Sequence, residues 1–135
     1  MASVIPKEVK LEIVTRWLPA TEATWKVALL TNAFVYASGT HVLYADVSAN
    51  EVVGTGYTAA GATLSGRAVA YDGTNAYIDA TDSQWTTATF TARYAVVYET
   101  AGGKIRAIYD FLADKSVTGG TFTIQWNASG LMKIS

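Results

Sequence analysis

The sequence contains no cysteine, which excludes disulfide bonds and thiolate metal sites. Charged residues make up only 16% of the chain, against roughly 25% in an average globular protein. The basic and acidic residues nearly balance and are scattered, so no basic stripe indicates nucleic-acid binding. A surface with so little charge does little to keep copies of a protein apart, which fits a subunit of an assembly.

Long apolar runs are also absent. The first ten residues, MASVIPKEVK, lack the apolar centre of a signal peptide. No stretch reaches the roughly 18 consecutive apolar residues of a membrane span. We therefore expect a protein that is made in the cytoplasm, has no membrane partner, and either stays soluble or is built into a larger particle.

Residues that could carry chemistry are few. The chain has one histidine, His41, and no nearby residue is marked as its nucleophile or orienting partner. Asp72, Asp79 and Asp82 form the closest group of acids, but Asp72-Gly73-Thr74-Asn75 is typical of a surface turn. Neither a glycosidase pair nor a calcium loop is indicated. We expect no catalytic residue, no metal and no cofactor, and hence no enzyme.

One glycine-rich stretch matches a cofactor pattern without its context. Residues 54–59, GTGYTA, fit the dinucleotide-binding spacing G-x-G-x-x-A. The residues that follow, AGATLSG, cannot form the helix that such a site requires. We expect these glycines to serve positive φ angles or close backbone approaches instead.

The most informative stretch is Trp85–Glu99, WTTATFTARYAVVYE. Its residues alternate with the period of two that is typical of a β-strand. The polar face becomes apolar at Ala95 and Val97, which predicts a central strand that is buried on both faces at one end. The predicted core face carries Ala88, Phe90, Ala92, Tyr94, Val96 and Tyr98.

Turn signals and alternation predict the other strands. Asp72-Gly73 indicates a hairpin, and Gly102-Gly103 reverses the chain after the central strand. Residues 34–47 leave two readings open, two short strands about Gly39 or one long loop. The spacing of Ser48 and Glu51 predicts a single helical turn. Strands are predicted at residues 25–30, 62–71, 76–80, 105–111, 121–126 and 131–134, with a polar loop before Gly119. The predicted fold is a mainly β, antiparallel β-sandwich or jelly-roll-like single domain.

The N-terminal region predicts the one helix. Val9, Ile13 and Trp17 are spaced by four residues, which indicates a short amphipathic helix after Pro6. A strand is the alternative, because apolar and charged residues also alternate between positions 9 and 13. The predicted organisation of residues 1–135 is an arm at 1–5, a helix at 7–17 and a β-sandwich at 24–134.

The four tryptophans divide into two pairs. Trp25 and Trp126 share a phase with apolar neighbours, which predicts core positions. Trp17 and Trp85 lie at the ends of predicted elements, which favours an interface. A carbohydrate-binding surface built on exposed tryptophans is a further possibility.

Several stretches of this sequence resemble a widespread group of small virion structural proteins of tailed bacteriophages. The likeness extends from about Lys26 to Ile134, and the segment before it is looser. The stretches that carry it are KVALLTNAF, DVSANEVVGTGYTAAGATLSGRAVAYDG, WTTATFTARYAVVY, and the YDF, ADKS and GGTFTIQW pieces near the end.

The resemblance implies a non-enzymatic building block, most closely a head decoration or cement protein. Such a protein is made in the host cytoplasm and binds the outside of the major capsid lattice of the virion. Its expected partners are the major capsid protein and copies of itself, with a trimer expected. We expect contacts through an exposed edge strand, and the candidate interface residues are Val4, Ile5, Trp17 and Trp85. A neck, tail or fibre-base subunit is the alternative.

Overall fold

Two antiparallel β-sheets dominate the structure, which is a computed structural model that describes residues 6–12, 24–37, 39–126 and 132–134. The helices and strands, in chain order, are α1 (Lys7–Glu12), β1 (Trp25–Leu30), α2 (Tyr44–Val47), a 3-10 turn (Ser48–Asn50), β2 (Ala62–Thr63), β3 (Ala68–Tyr71), β4 (Ala76–Asp79), β5 (Ser83–Glu99), β6 (Ile105–Ile124) and β7 (Met132–Ile134). The described helices are all too short or too polar to cross a bilayer.

The two sheets pack face to face. The larger has the strand order β2-β1-β5-β6 and the smaller has the order β3-β4-β7. Side chains of β1, such as Trp25 and Leu29, meet Ile78 of β4 and Phe122 of β6 in a shared core. This arrangement confirms the predicted antiparallel sandwich with one short helix near the N-terminus. The Asp72-Gly73 hairpin between β3 and β4 is also confirmed.

The interior strand β5 has different faces from those predicted. Its register with β6 shifts between Ala92 and Tyr94. Ala92 faces the core between the sheets, whereas Tyr94 faces the opposite side, and Ala95 continues the core face. A bulge causes this because one extra residue reverses the side to which all later side chains point. The predicted single face is thus split into Ala88, Phe90 and Ala92 on one side and Tyr94, Val96 and Tyr98 on the other.

β6 is one continuous strand where two strands and a polar loop were predicted. Asp110 pairs with Tyr94 and Lys115 pairs with Ala92, so residues 111–114 bulge out opposite Arg93. The strand then resumes beside β5. Polar side chains in this region pair across the two strands instead of forming a loop, as the Thr91 and Ser116 hydroxyls do at 2.7 Å.

The short helix α1 lies against the β3–β4 hairpin. Its buried side chain is that of Lys10, whose Nζ donates to the Thr74 carbonyl oxygen at 2.5 Å. Val9 is 40% exposed, so the predicted apolar stripe is wrong at this position. The aliphatic stem of a lysine can cover an apolar surface while its amine reaches a carbonyl, which explains why Lys10 can take the buried position. Ile13, Trp17 and the rest of the predicted helix lie outside the described residues.

Between β1 and β2 the chain forms a loop with one short helix, so the long-loop reading is correct. The helical turn predicted from the spacing of Ser48 and Glu51 is present as the 3-10 turn at Ser48–Asn50, and α2, which was not predicted, directly precedes it. The Asp46 carboxylate caps α2. That carboxylate accepts the backbone N–H groups of Val42 and Leu43 at 3.1 and 2.9 Å. Glu51 instead adopts an extended conformation and bridges to the end of β1.

The glycine-rich loop passes very close to the strands, as expected. A Cβ atom on Gly54 would lie 2.5 Å from the Thr89 carbonyl oxygen. A Cβ on Gly61, whose φ is +81°, would lie 2.0 Å from the Val27 carbonyl oxygen. Only glycine fits such contacts. The residues directly after this loop form β2, where a dinucleotide site would require a helix.

Candidate interaction surface

The face of the larger sheet that points away from the core between the sheets is covered by the loop between β1 and β2. Phe34, from this loop, packs edge-on against Tyr94 at a ring-centroid distance of 5.2 Å. Val47 of α2 is fully buried beside Val96 of β5. The loop is therefore held on the sheet by apolar contacts, and the side chains at its margin form the wall of a groove.

The Glu51 carboxylate holds the loop together through hydrogen bonds. Glu51 accepts the hydroxyl protons of Tyr44 and Tyr57, each at 2.5 Å, and the Ala60 backbone N–H at 2.9 Å. Tyr44 also stacks on Tyr98 at 4.6 Å. Burial first, and then the negative charge of the Glu51 carboxylate, raise the pKa values of Tyr44, Tyr57 and Tyr98, that of Tyr98 to about 12. These groups are used inside the fold, so they indicate support of the loop and not catalysis.

A groove of about 720 Å³ runs between this loop and β6, and we call it the edge groove. Its loop side includes three apolar side chains that are unusually exposed: Val35 at 77%, Tyr36 at 56% and Val42 at 48%. Isolated exposed apolar residues are common on proteins, but a group of them beside a concave surface marks an interaction site. The apolar lining residues are Val35, Tyr36, Val42, Tyr94, Ile105, Ala107 and Ile108.

The charged groups at the edge groove are bound within the chain. Arg106 contacts Glu99 at 2.5 Å, and both side chains are largely buried. Arg93 pairs with Asp110, with Nε and Oδ1 separated by 2.7 Å. The Arg93 guanidinium, and then the Leu112 backbone N–H, lower the pKa of Asp110 below its usual range. The Arg106 Nε–H is buried and has no acceptor among the described residues.

The bulge of β6 adds a protruding apolar side chain next to the groove. Leu112 is 81% exposed and has a φ angle of +66°, which is rare for a residue with a side chain. Its backbone N–H donates to Asp110 Oδ1 at 2.8 Å. Asp114 accepts the Asn32 amide at 3.0 Å and ties the bulge to the loop after β1. The bulge is therefore held in a shape that presents Leu112 to solvent.

The outer edge of β6 is covered at one end only. Tyr44 N–H donates to the Gly103 carbonyl at 2.8 Å, and Ile105 N–H donates to the Val42 carbonyl at 2.9 Å. These bonds pair residues 42–44 with the outer edge at 103–105. Beyond them, residues 106–110 form no strand pairing on that side with any other described residue, up to the bulge at 111–114. An open edge of this kind can accept another strand.

The predicted interface residues have different locations. Val4, Ile5 and Trp17 lie outside the described residues. Trp85 is only 6% exposed and packs between Tyr57 and Phe122 in the core, so it offers no contact surface. The register shift between Trp85 and Ala88 explains why both residues lie on the core face.

The other tryptophans follow the prediction of core positions. Trp25 is fully buried, and Trp126 is half-buried against Tyr109. The hypothesis of a sugar-binding surface therefore has no exposed tryptophan among the described residues to support it.

The candidate chemical residues occupy structural roles. His41 Nδ1 accepts the Ala37 backbone N–H at 2.9 Å, and the ring lies against Phe34 at the margin of the edge groove. Asp72 accepts the backbone N–H groups of Thr74 and Asn75, as predicted for a turn. No group of three or more potential metal ligands is found in the part of the chain that the structure describes.

Sequence reasoning missed the residues of this surface. Val35, Tyr36 and Val42 lie in a segment without periodicity, and Leu112 lies in a stretch whose polar composition predicts a loop. The available signal was a concentration of large apolar residues in a segment that was predicted to be a loop.

Comparison with protein-family models, with curated proteins and with solved structures finds no match to this chain.

Proposed function

We propose that this protein is a structural protein of a tailed-bacteriophage virion, a decoration protein that binds the outside of the major capsid lattice. The resemblance of its sequence to small phage structural proteins supports the phage setting. The observation that carries the role is the combination of the edge groove with the exposed Leu112 on a rigid sandwich. These features provide apolar contact area, and the nearby charges are occupied within the chain.

A protein of this kind acts by binding alone. Apolar area that is buried against neighbouring capsid subunits favours the assembled shell, because the decoration protein binds that state and not the separated subunits. Many symmetric copies multiply a modest contact energy. In the expected trimer, three copies would also bind one another at a symmetry point of the lattice.

The test is binding to capsids that were assembled without this protein. Purified wild-type protein should co-sediment with such capsids, and cryo-electron microscopy should show its density on their outer surface. Val35→Asp should reduce occupancy strongly, because it places a charge at the groove margin. Val53→Asp is the matched control, since Val53 is 95% exposed and is not part of the groove lining.

Two results would contradict the proposal. Density at the neck or tail, with a bare capsid surface, would establish the alternative of a neck, tail or fibre-base subunit. Equal capsid occupancy of Val35→Asp and Val53→Asp would show that the edge groove is not the contact surface.

A further inference from the structure

The hydrogen bonds of β1 show which way the backbone groups of the larger sheet point. Leu29 accepts the Val52 N–H at 2.9 Å and donates its own N–H to the Tyr57 hydroxyl at 2.9 Å. Both backbone groups of Leu29 therefore point away from β5. Successive residues of a strand direct these groups to opposite sides, so Ala28 directs its groups toward β5, where its partner is Val96.

The same alternation continues from β5 to β6. The two neighbours of Val96 direct their backbone groups toward β6, where their partners are Ala107 and Tyr109. Ala107 and Tyr109 therefore direct their groups toward β5. Ile108 lies between them, so its N–H and C=O groups point to the open side of the sheet, as do those of Asp110.

We propose that this open edge receives an extended segment of a major capsid subunit, which adds to the larger sheet as a further strand beyond β6. Residues 42–44 already pair with 103–105 on that side, through an antiparallel bridge between Leu43 and Lys104. The added segment would continue this row and give hydrogen-bond partners to the outward groups of Ile108 and Asp110. The inference rests on the proposed function, because it takes the capsid as the partner.

The edge groove determines which side chain the added segment presents. The Ile108 side chain packs with Tyr94 on the face of the larger sheet that points away from the core between the sheets. A residue directly opposite Ile108 would direct its side chain to the same face. That side chain would enter the edge groove beside Val35 and Tyr36. We therefore expect a large apolar residue at this position of the capsid segment.

The groove offers no free charge to the segment. Its charged lining residues are Arg106 and Asp110, and both are paired within the chain, with Glu99 and Arg93 respectively. A charged side chain of the partner would be buried here without a counter-charge, which costs free energy. The capsid segment should therefore be uncharged where it crosses the groove.

The size of the open edge favours the capsid over a second copy of this chain. The edge is free only from 107 to 110, between the stretch that residues 42–44 cover and the bulge at 111–114. Four residues of strand extend over about 13 Å. Such a contact is small against the roughly 800 Å² per partner of a stable complex. A capsid surface can bind the rest of the protein at the same time, with Leu112 among the contacts.

Amide hydrogen exchange of the wild-type protein tests the added strand. In the free protein, the Ile108 and Asp110 amides should exchange rapidly, whereas β5 should protect those of Ala107 and Tyr109. On capsids that were assembled without this protein, exchange at Ile108 and Asp110 should become slower by about tenfold or more. Exchange on the capsid, followed by quenching and mass spectrometry with single-residue fragmentation, measures the change.

Two variants at one position separate the backbone from the side chain. Ile108→Pro removes the outward N–H and preserves the pairing with β5, because an edge strand accepts proline where the N–H faces solvent. Ile108→Ala keeps the N–H and removes most of the side chain, so it is the matched control. We expect Ile108→Pro to bind capsids about tenfold more weakly than Ile108→Ala. Equal affinities would overturn the added strand.

The remaining outcomes separate this inference from the proposed function. Rapid exchange of Ile108 and Asp110 in capsid-bound protein would overturn the added strand and leave the proposed function standing. Protection of the same amides in free protein as its concentration rises would make a second copy the occupant, which also overturns the inference. Failure of wild-type protein to bind capsids would remove both. Thermal unfolding checks that the variants are folded, and the wild-type exchange decides the question if Ile108→Pro is not.

Discussion

Tyr57 donates its hydroxyl proton to Glu51 and at the same time accepts the backbone N–H of Leu29 at 2.9 Å. Leu29 belongs to β1, whereas Tyr57 and Glu51 belong to the segment that follows α2. The Tyr57 hydroxyl, held by the Glu51 carboxylate, thus links β1 of the larger sheet to the loop that includes α2.

Removal of that carboxylate should destabilise the fold. Glu51→Ala leaves two tyrosine hydroxyls and the Ala60 N–H without their acceptor, so we expect the free energy of unfolding to fall by about 2–4 kcal/mol. Glu51→Gln keeps one acceptor oxygen and should lose less. Urea denaturation of the three proteins measures the difference. Equal stability of Glu51→Ala and wild type would mean that water satisfies these donors.

A close backbone approach gives the second prediction. Gly61 and Gly39 have nearly the same φ angle, +81° and +80°, but only Gly61 has atoms where a Cβ would lie. Substitution by alanine therefore strains the backbone equally at both sites and adds a steric clash at one. We expect Gly61→Ala to cost about 1–3 kcal/mol more than Gly39→Ala in denaturant unfolding. Similar losses would show that the loop moves away from β1 freely.

The tyrosines predict the response to alkali. Burial is the first cause of the raised pKa values of Tyr44, Tyr57, Tyr98 and Tyr109. The folded state favours their neutral form, so this contribution to stability is complete below the ordinary pKa of about 10 and is lost as the pH rises. For Tyr98 the loss begins near the ordinary pKa of about 10 and is complete near the folded-state pKa of about 12.

An ultraviolet titration of tyrosinate checks this response. Four of the eight tyrosines should ionise only at high pH, together with the loss of β-sheet circular dichroism. Glu51→Gln should lower the pH of this transition, because the carboxylate charge raises the pKa of Tyr98. Ionisation of all tyrosines near pH 10 in a protein that stays folded would contradict the prediction.

Substitution of the strained Leu112 should change stability and capsid binding in opposite directions. Leu112→Gly should raise the free energy of unfolding by about 0.5–1 kcal/mol, because glycine tolerates a φ of +66° and the side chain is exposed. The same change should reduce capsid occupancy, since it removes a contact. Val53→Gly, at an exposed residue without a positive φ, should lower stability and leave occupancy unchanged. A loss of stability in Leu112→Gly would indicate that its side chain packs.

The N-terminal arm gives a prediction that depends on the proposed function. Deletion of residues 1–5, which include Val4 and Ile5, should weaken capsid binding and leave the melting temperature unchanged. Co-sedimentation with capsids and thermal unfolding measure the two effects. Wild-type occupancy of the truncated protein would show that the arm is not a contact.

Alternation is a local property, so the sequence predicts where strands lie better than how far each extends. The predicted strand at 62–71 is in fact two strands, β2 in the larger sheet and β3 in the smaller. β1 was predicted with its observed bounds, and β5 was predicted as the interior strand. The faces of β5 were not predictable, because the pattern beyond the Ala92–Tyr94 bulge resumes with the opposite parity and looks continuous. β6 was divided for a similar reason, since its bulge and polar residues resemble a loop.

The edge groove depends on contacts between distant parts of the chain. Val42 lies beside Ile105 only because the loop after β1 crosses the larger sheet and pairs with the outer edge of β6. No local spacing encodes that meeting. The apolar residues of the groove were therefore visible in the sequence, but their common location was not.

The β5–β6 hairpin also bears on how the chain reaches its fold. Its strands are consecutive and meet at the short turn that includes Gly102 and Gly103, so the closure of this loop costs little conformational entropy. The pairing of Trp25 with Glu99, by contrast, closes a long loop. We expect the hairpin to form first, from its turn outward, and β1 to join it in a slower step. Until β1 pairs with β5, the hairpin has an open edge on each of its two strands. Dilute conditions should therefore favour productive refolding over aggregation.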